Sequence, residues 1–74
     1  MSNADEMFEE LGYENGTGNN LGNGEKFIWY KRFPNYNKVL FYEKTKQINI
    51  TANITMQELK AINQFCKEKR WLDE

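Results

Sequence analysis

Few residues of this 74-residue chain are equipped for chemistry. It contains no histidine and a single cysteine, Cys66. Within the chain this excludes histidine acid–base catalysis, Ser-His-Asp and Cys-His triads, zinc-finger sites and an internal disulfide. Glu6, Glu9 and Glu10 fall on one side of a short helical stretch and offer carboxylates to a divalent cation. A hard cation needs several oxygens held rigidly, and three acids on a helix of about ten residues read as solvated. No apolar or basic neighbour would split their pKa values into an acid and a base. Gly16-Thr17-Gly18-Asn19-Asn20-Leu21-Gly22 approaches a phosphate-binding loop but has Leu21 where the third glycine belongs, and no Gly-Lys-Ser/Thr follows. Cys66 has Lys67 and Lys69 nearby to lower its pKa, yet no base, and it falls on an apolar helix stripe. It reads as core. The tripeptides at Asn15, Asn49 and Asn53 match a glycosylation acceptor. With no secretory signal in the chain they are expected to be chance matches in an Asn-rich sequence. No metal, cofactor or catalytic constellation is expected, and the chain does not read as an enzyme.

The residues with weight are basic and aromatic. Lys26, Lys31, Arg32, Lys38, Lys44 and Lys46 interleave with Trp29, Tyr30, Phe33, Tyr36, Phe41 and Tyr42. Cations around aromatic rings can follow a phosphate backbone and stack bases, or grip a protein surface. The expected sheet site is Trp29, Tyr30, Lys31, Arg32, Lys38, Lys44 and Lys46. The acids lie elsewhere. Residues 1–25 hold six acids and no base, and residues 26–74 hold ten bases against five acids. Asp5, Glu6, Glu9 and Glu10 therefore form a candidate partner-binding acidic arm on a basic body.

Three segments must position these groups. Residues 1–13 predict a short helix: Ser2 to Asp5 fits a capping box, Met7, Phe8 and Leu11 share a face, and Gly12 suits a helix end. Residues 14–25 hold four Gly and four Asn around one apolar side chain, Leu21, and predict a flexible linker. Residues 26–74 predict a β-β-β-α body. Strands are expected around 26–33, 39–42 and 47–52, with a turn at Phe33-Pro34-Asn35-Tyr36 and a polar reversal at Lys44-Thr45-Lys46. Thr55 to Glu58 is a capping box, Ile54 and Leu59 a hydrophobic staple, and Met56, Leu59, Ile62, Phe65 and Cys66 an apolar stripe. The fold class is α+β: a short N-terminal helix, a linker, and a three-stranded antiparallel meander with a C-terminal helix across one face. Both faces of strand 26–33 carry bulky groups, so one aromatic face is expected to stay uncovered. At 39% hydrophobic composition, wholesale disorder is not expected. No apolar run reaches the ~18 residues of a membrane helix.

Two blocks carry a resemblance. Met7-Phe8-Glu9-Glu10-Leu11-Gly12-Tyr13, and Ile54-Thr55-Met56-Gln57-Glu58-Leu59-Lys60-Ala61-Ile62-Asn63 with Trp71-Leu72, are similar to small uncharacterised phage and prophage proteins of Firmicutes. The blocks cover about a third of the chain, and the Gly/Asn segment departs from that group. The resemblance implies a mobile-element accessory protein in the bacterial cytoplasm and no particular reaction. The expected function is non-catalytic: binding, and blocking, a host defence or nucleic-acid-handling protein in the manner of an anti-CRISPR. The alternative is a small nucleic-acid-binding regulator that uses the sheet. Expected partners are a host protein, alternatively nucleic acid or a second copy of the chain, and no membrane.

Overall fold

The computed structural model describes residues 3–32, 37–51 and 53–71. The order of elements is α1 (Ala4–Glu10), β1 (Tyr13–Asn19), β2 (Lys26–Arg32), β3 (Asn37–Tyr42), β4 (Gln47–Ile50) and α2 (Met56–Glu68). The α+β class is as expected, but the meander has four strands, in the order β1-β2-β3-β4 and antiparallel throughout. No helix among the described residues is long and apolar enough to cross a membrane. The expected turn at 33–36, Ser2 of the first cap, Ala52 of the last strand and Leu72 lie outside the described residues.

The extra strand is the main correction, because it lies in the segment expected to be a linker. Tyr13–Asn19 pairs along its whole length with β2, from Tyr13 opposite Arg32 to Asn19 opposite Lys26. A glycine strand has no side chains of its own with which to gain apolar contact. Here the contact comes from across the ladder. Gly16 faces Trp29 and Gly18 faces Phe27, and the rings lie directly on the glycines. A Cβ on Gly16 would run into the Trp29 ring, and one on Gly18 would sit 2.7 Å from the Phe27 ring. Aromatic rings covering cross-strand glycines are a known device for holding such strands. The asparagines serve the connection to β2. Asn20 Oδ1 accepts from Gly22 N–H at 2.8 Å, and Asn23 Oδ1 accepts from Glu25 N–H at 2.8 Å. Both are local side-chain turns. Gly24 there has φ 72°, a left-handed conformation that favours glycine. Glu25 is buried and accepts from the backbone N–H and hydroxyl of Thr45 at 2.8 and 2.9 Å, tying this connection to the β3–β4 turn.

Both helices start with capping boxes. In α1 the cap is Asn3, not Ser2: its side chain accepts from Glu6 N–H and its backbone donates to the Glu6 carboxylate. Asparagine caps as well as serine does, so the box moves by one residue. Gly12, at φ 89°, then turns the chain into β1. In α2 Thr55 and Glu58 form the expected box. Its buried face differs from the expected stripe. Glu58, Ala61, Ile62, Phe65 and Cys66 are buried, whereas Met56 is 65% exposed and Leu59 37%. The helix packs on α1 and, through Phe65 on Phe41 and Tyr30, on the sheet, and a helix with two neighbours buries the side that lies between them. The core holds Phe8 stacked on Tyr30 at 4.0 Å and Phe41 stacked on Phe65 at 3.8 Å. Val39, Ala61 and Ile62 fill in around these rings.

A polar clamp closes the core on one side. The buried Glu58 carboxylate accepts the Tyr13 hydroxyl and lies 3.6 Å from the Arg32 guanidinium. One carboxylate thus caps α2 and joins it to β1 and β2. Burial raises the Glu58 carboxyl, but hydrogen bonds from Tyr13 and Thr55 and the Arg32 charge outweigh it and hold the group below its ordinary value. The Thr45 N–H holds Glu25 low in the same sense. Burial, then the Glu58 hydrogen bond and charge, push Tyr13 up to about 12. Burial and Asp5 raise Tyr30 further, and burial raises the Cys66 thiol.

Ile62→Ala opens a cavity in the core and should cost about 2–5 kcal/mol in urea unfolding, against about 1 kcal/mol for the cap variant Thr55→Ala. Unequal cost in the reverse order would contradict the packing. For pH, Glu25 and Glu58 bind protons less readily folded than unfolded, so their contribution is present above the ordinary carboxylate pKa and lost as pH falls through the folded values. Cys66 and Tyr13 have raised values, so theirs is present at neutral pH and is lost in alkali, for Tyr13 as pH rises from 10 through about 12. The urea midpoint should be flat from about pH 5 to about 9 and fall on either side. A steady decline across neutral pH would contradict the clamp.

Candidate functional site

Successive strand residues point to opposite faces, so the register fixes what each face carries. Tyr30, Val39 and Phe41 point to the helices. The other face carries three rows across the strands: Glu14, Lys31 and Lys38; then Gly16, Trp29, Leu40 and Asn49; then Gly18, Phe27, Tyr42 and Gln47. Both helices pack on the opposite side, and no described element covers this face. Its ring and aliphatic side chains are half-buried by one another and by the sheet. Phe27 and Tyr42 have ring centroids 5.6 Å apart, and Lys31 Nζ sits 4.7 Å from the Trp29 ring centre. The face is therefore an apolar, aromatic strip with a charged row at one end.

The expected sheet residues divide between the faces. Trp29, Lys31 and Lys38 come together on the open face. Lys44 and Lys46 are exposed in the β3–β4 turn at the end of the sheet. Tyr30 and Arg32 are not on this surface. Tyr30 is 1% exposed, stacked on Phe8, with its hydroxyl donated to Asp5. Arg32 lies over the Tyr13 ring at 5.1 Å and is paired with Glu58. The reason is the period of two: residues 29 and 31 face one way, 30 and 32 the other. Phe41 is core for the same reason, and Phe33 and Tyr36 lie outside the described residues. Phe27, Leu40 and Glu14 belong to the face and were not expected there. The Gly-x-Gly spacing opposite two aromatic residues is the sequence pattern that marks it.

The acidic segment is not a free arm. Helix α1 is docked: Ala4 N–H donates to Glu68 Oε2 at 2.8 Å, Asp5 accepts from Tyr30, and Glu6 completes the cap. Glu9 and Glu10 remain exposed on the helix side, away from Lys31 and Lys38. A cleft of about 290 Å³ lies between α1, β1 and the end of α2, with Asp5, Thr17, Tyr30, Phe65 and Glu68 among its walls. Both of its carboxylates already accept hydrogen bonds, and Lys69 beside it pairs with Glu43 at 3.3 Å. Cys66 is buried and its thiol is shifted up, opposite to the direction a nucleophilic thiol needs. Among the described residues no three carboxylate or thiol groups gather as metal ligands do. What the described residues do present is the aromatic strip of the open face, bordered by Lys31 and Lys38.

Compared with known protein families, curated proteins and solved structures, the chain matches none.

The seating of Trp29 on Gly16 is directly testable. Gly16→Ala puts a methyl group where the indole lies, so the ring must lift. Overpacking of this kind should cost about 1–3 kcal/mol and shift tryptophan emission to the red. In the Trp29→Ala background the same substitution should cost much less. Equal costs in both backgrounds would show that the ring does not lie on the glycine.

Proposed function

We propose that the protein is a non-catalytic binding protein of a phage or prophage that docks on a host protein through the open face of its sheet. The observation that carries this reading is the uncovered strip of two neighbouring rows, Trp29 with Leu40 and Phe27 with Tyr42, flanked by Lys31 and Lys38. Large aromatic groups held rigidly by a sheet, with cations at the rim, are what protein contact surfaces concentrate. A small domain has little to gain by leaving such groups in water unless something covers them. The resemblance of its two end blocks to phage and prophage proteins supplies the setting. The target class is a defence or nucleic-acid-handling protein of the bacterial cytoplasm, and the action is to block it, as an anti-CRISPR does. This reading uses the sheet rather than α1 for docking; the engagement of Asp5 and Glu6 within the fold supports that choice.

One observation favours the second reading, a nucleic-acid-binding regulator. Lys31 lies directly opposite Lys38 across β2 and β3, beside the Trp29 ring. Like charges directly opposite are unfavourable; Glu14, opposite Lys31 on its other side, offsets part of this, and a phosphate beside Lys38 offsets the rest.

Leu40→Asp places a charge in the middle of the strip, on a side chain that is not in the core. The variant should fold, and it should lose capture of the protein that the full chain retains from a host lysate. Equal capture by both would contradict docking on this face. In a salt titration by fluorescence anisotropy, the protein reading expects weak binding of single-stranded DNA that is unchanged in Lys31→Glu/Lys38→Glu. Tight, salt-sensitive binding abolished by that double variant would decide for nucleic acid.

A further inference from the structure

The sheet has two free edges, and they differ. The β1 edge carries Glu14 and turns the polar side chains Asn15 and Thr17 toward the helix side. The β4 edge, Gln47-Ile48-Asn49-Ile50, is short but has no charge, no proline and no bulge, three of the features by which proteins keep edge strands from pairing. Its two apolar residues point to the helix side but the helices do not cover them: Ile48 is 38% exposed and Ile50 41%.

The free hydrogen-bonding groups of this edge can be assigned. Thr51 N–H donates to Lys38 O at 3.1 Å, so Thr51 bonds toward β3. Antiparallel pairs alternate, so Asn49 and Gln47 also bond toward β3, while the N–H and C=O of Ile48 and Ile50 point away from it. We infer that β4 pairs antiparallel with β4 of a second copy of the chain, about a two-fold axis through Asn49. In this register Ile48 and Ile50 of one copy bond reciprocally with Ile50 and Ile48 of the other. Asn49 faces its own copy in the close, non-hydrogen-bonded position.

The match goes beyond the backbone. A two-fold axis perpendicular to the sheet keeps each face on its own side. The four isoleucines therefore form one apolar strip on the helix side, removing from water the groups that the monomer leaves exposed. The pairing strands carry no charged side chain. Lys44 and Lys46 of the two copies lie at opposite ends of the pair, so no lysine meets a lysine. The two open faces would join into one eight-stranded surface with two copies of the Trp29–Leu40 strip. The inference does not depend on what that surface binds.

The test is sedimentation equilibrium of the full chain from micromolar to millimolar concentration, with amide exchange on the same samples. The expected result is a dimer in which the Ile48 and Ile50 N–H groups exchange more slowly as concentration rises, while Asn15 and Thr17 do not. Ile48→Pro removes one outward N–H and leaves the β3 ladder intact, and proline is tolerated on edge strands in that position. It should be monomeric with an unchanged far-UV spectrum. Ile50→Lys, which adds a charge to the strip, should also be monomeric and decides the matter if the proline variant does not fold. A chain that stays monomeric throughout, a dimer that survives Ile50→Lys, or concentration-dependent protection at Asn15 and Thr17 instead would each overturn the inference.

Discussion

The contact on which the rest depends is an aromatic ring lying on a glycine. Trp29 covers Gly16 and Phe27 covers Gly18, closely enough that no Cβ fits between them. This brings β1 into the sheet although β1 has almost no apolar side chain of its own. With β1 in place, Tyr13 reaches Glu58, and Glu58 joins β1, β2 and α2. The same rings form most of the open face. One interaction therefore completes the sheet, anchors the clamp at one end and presents the candidate binding surface.

Much of this was legible in the residues, and the failures have definite causes. Clean alternation marked β4, and the Thr55–Glu58 box marked the start of α2. The uncovered aromatic face followed from bulky groups on both sides of one strand. The glycine strand is not legible in composition, which weighs only the side chains a segment owns, whereas here the apolar area belongs to the strand across the ladder. Tyr30 and Arg32 look like part of one basic-aromatic set with Trp29 and Lys31 in the sequence, but the period of two of a strand separates them. The expected stripe of α2 assumed a sheet as sole neighbour. Docking of α1 turned the helix so that Glu58 went in and Met56 came out. A buried glutamate cannot be seen from one helix; its partners, Tyr13 and Arg32, are far away in sequence.

The charge division of the chain takes on a different meaning in three dimensions. The acids of the first segment are partly structural: Asp5 holds Tyr30, Glu6 caps α1 and Glu25 secures the β3–β4 turn. Glu9 and Glu10 stay exposed on the helix side, and on the opposite side of the molecule Lys31 and Lys38 border an aromatic strip. A partner that reads this surface would meet rigid side chains, since Trp29 and Phe27 are already fixed by the glycines beneath them. Little side-chain freedom would be lost on binding, which favours contact energy over ordering cost.

The central claim is that Gly16 and Gly18 are strand residues lying under aromatic rings. The most direct measurement is a proton NMR spectrum with nuclear Overhauser contacts and backbone relaxation. The account predicts contacts from one Hα of Gly16 to the Trp29 ring and from one Hα of Gly18 to the Phe27 ring. These Hα resonances should be shifted upfield by the rings, and order parameters at both glycines should match those of β2 and β3. Random-coil Hα shifts at Gly16 and Gly18, with order parameters below about 0.6, would contradict it.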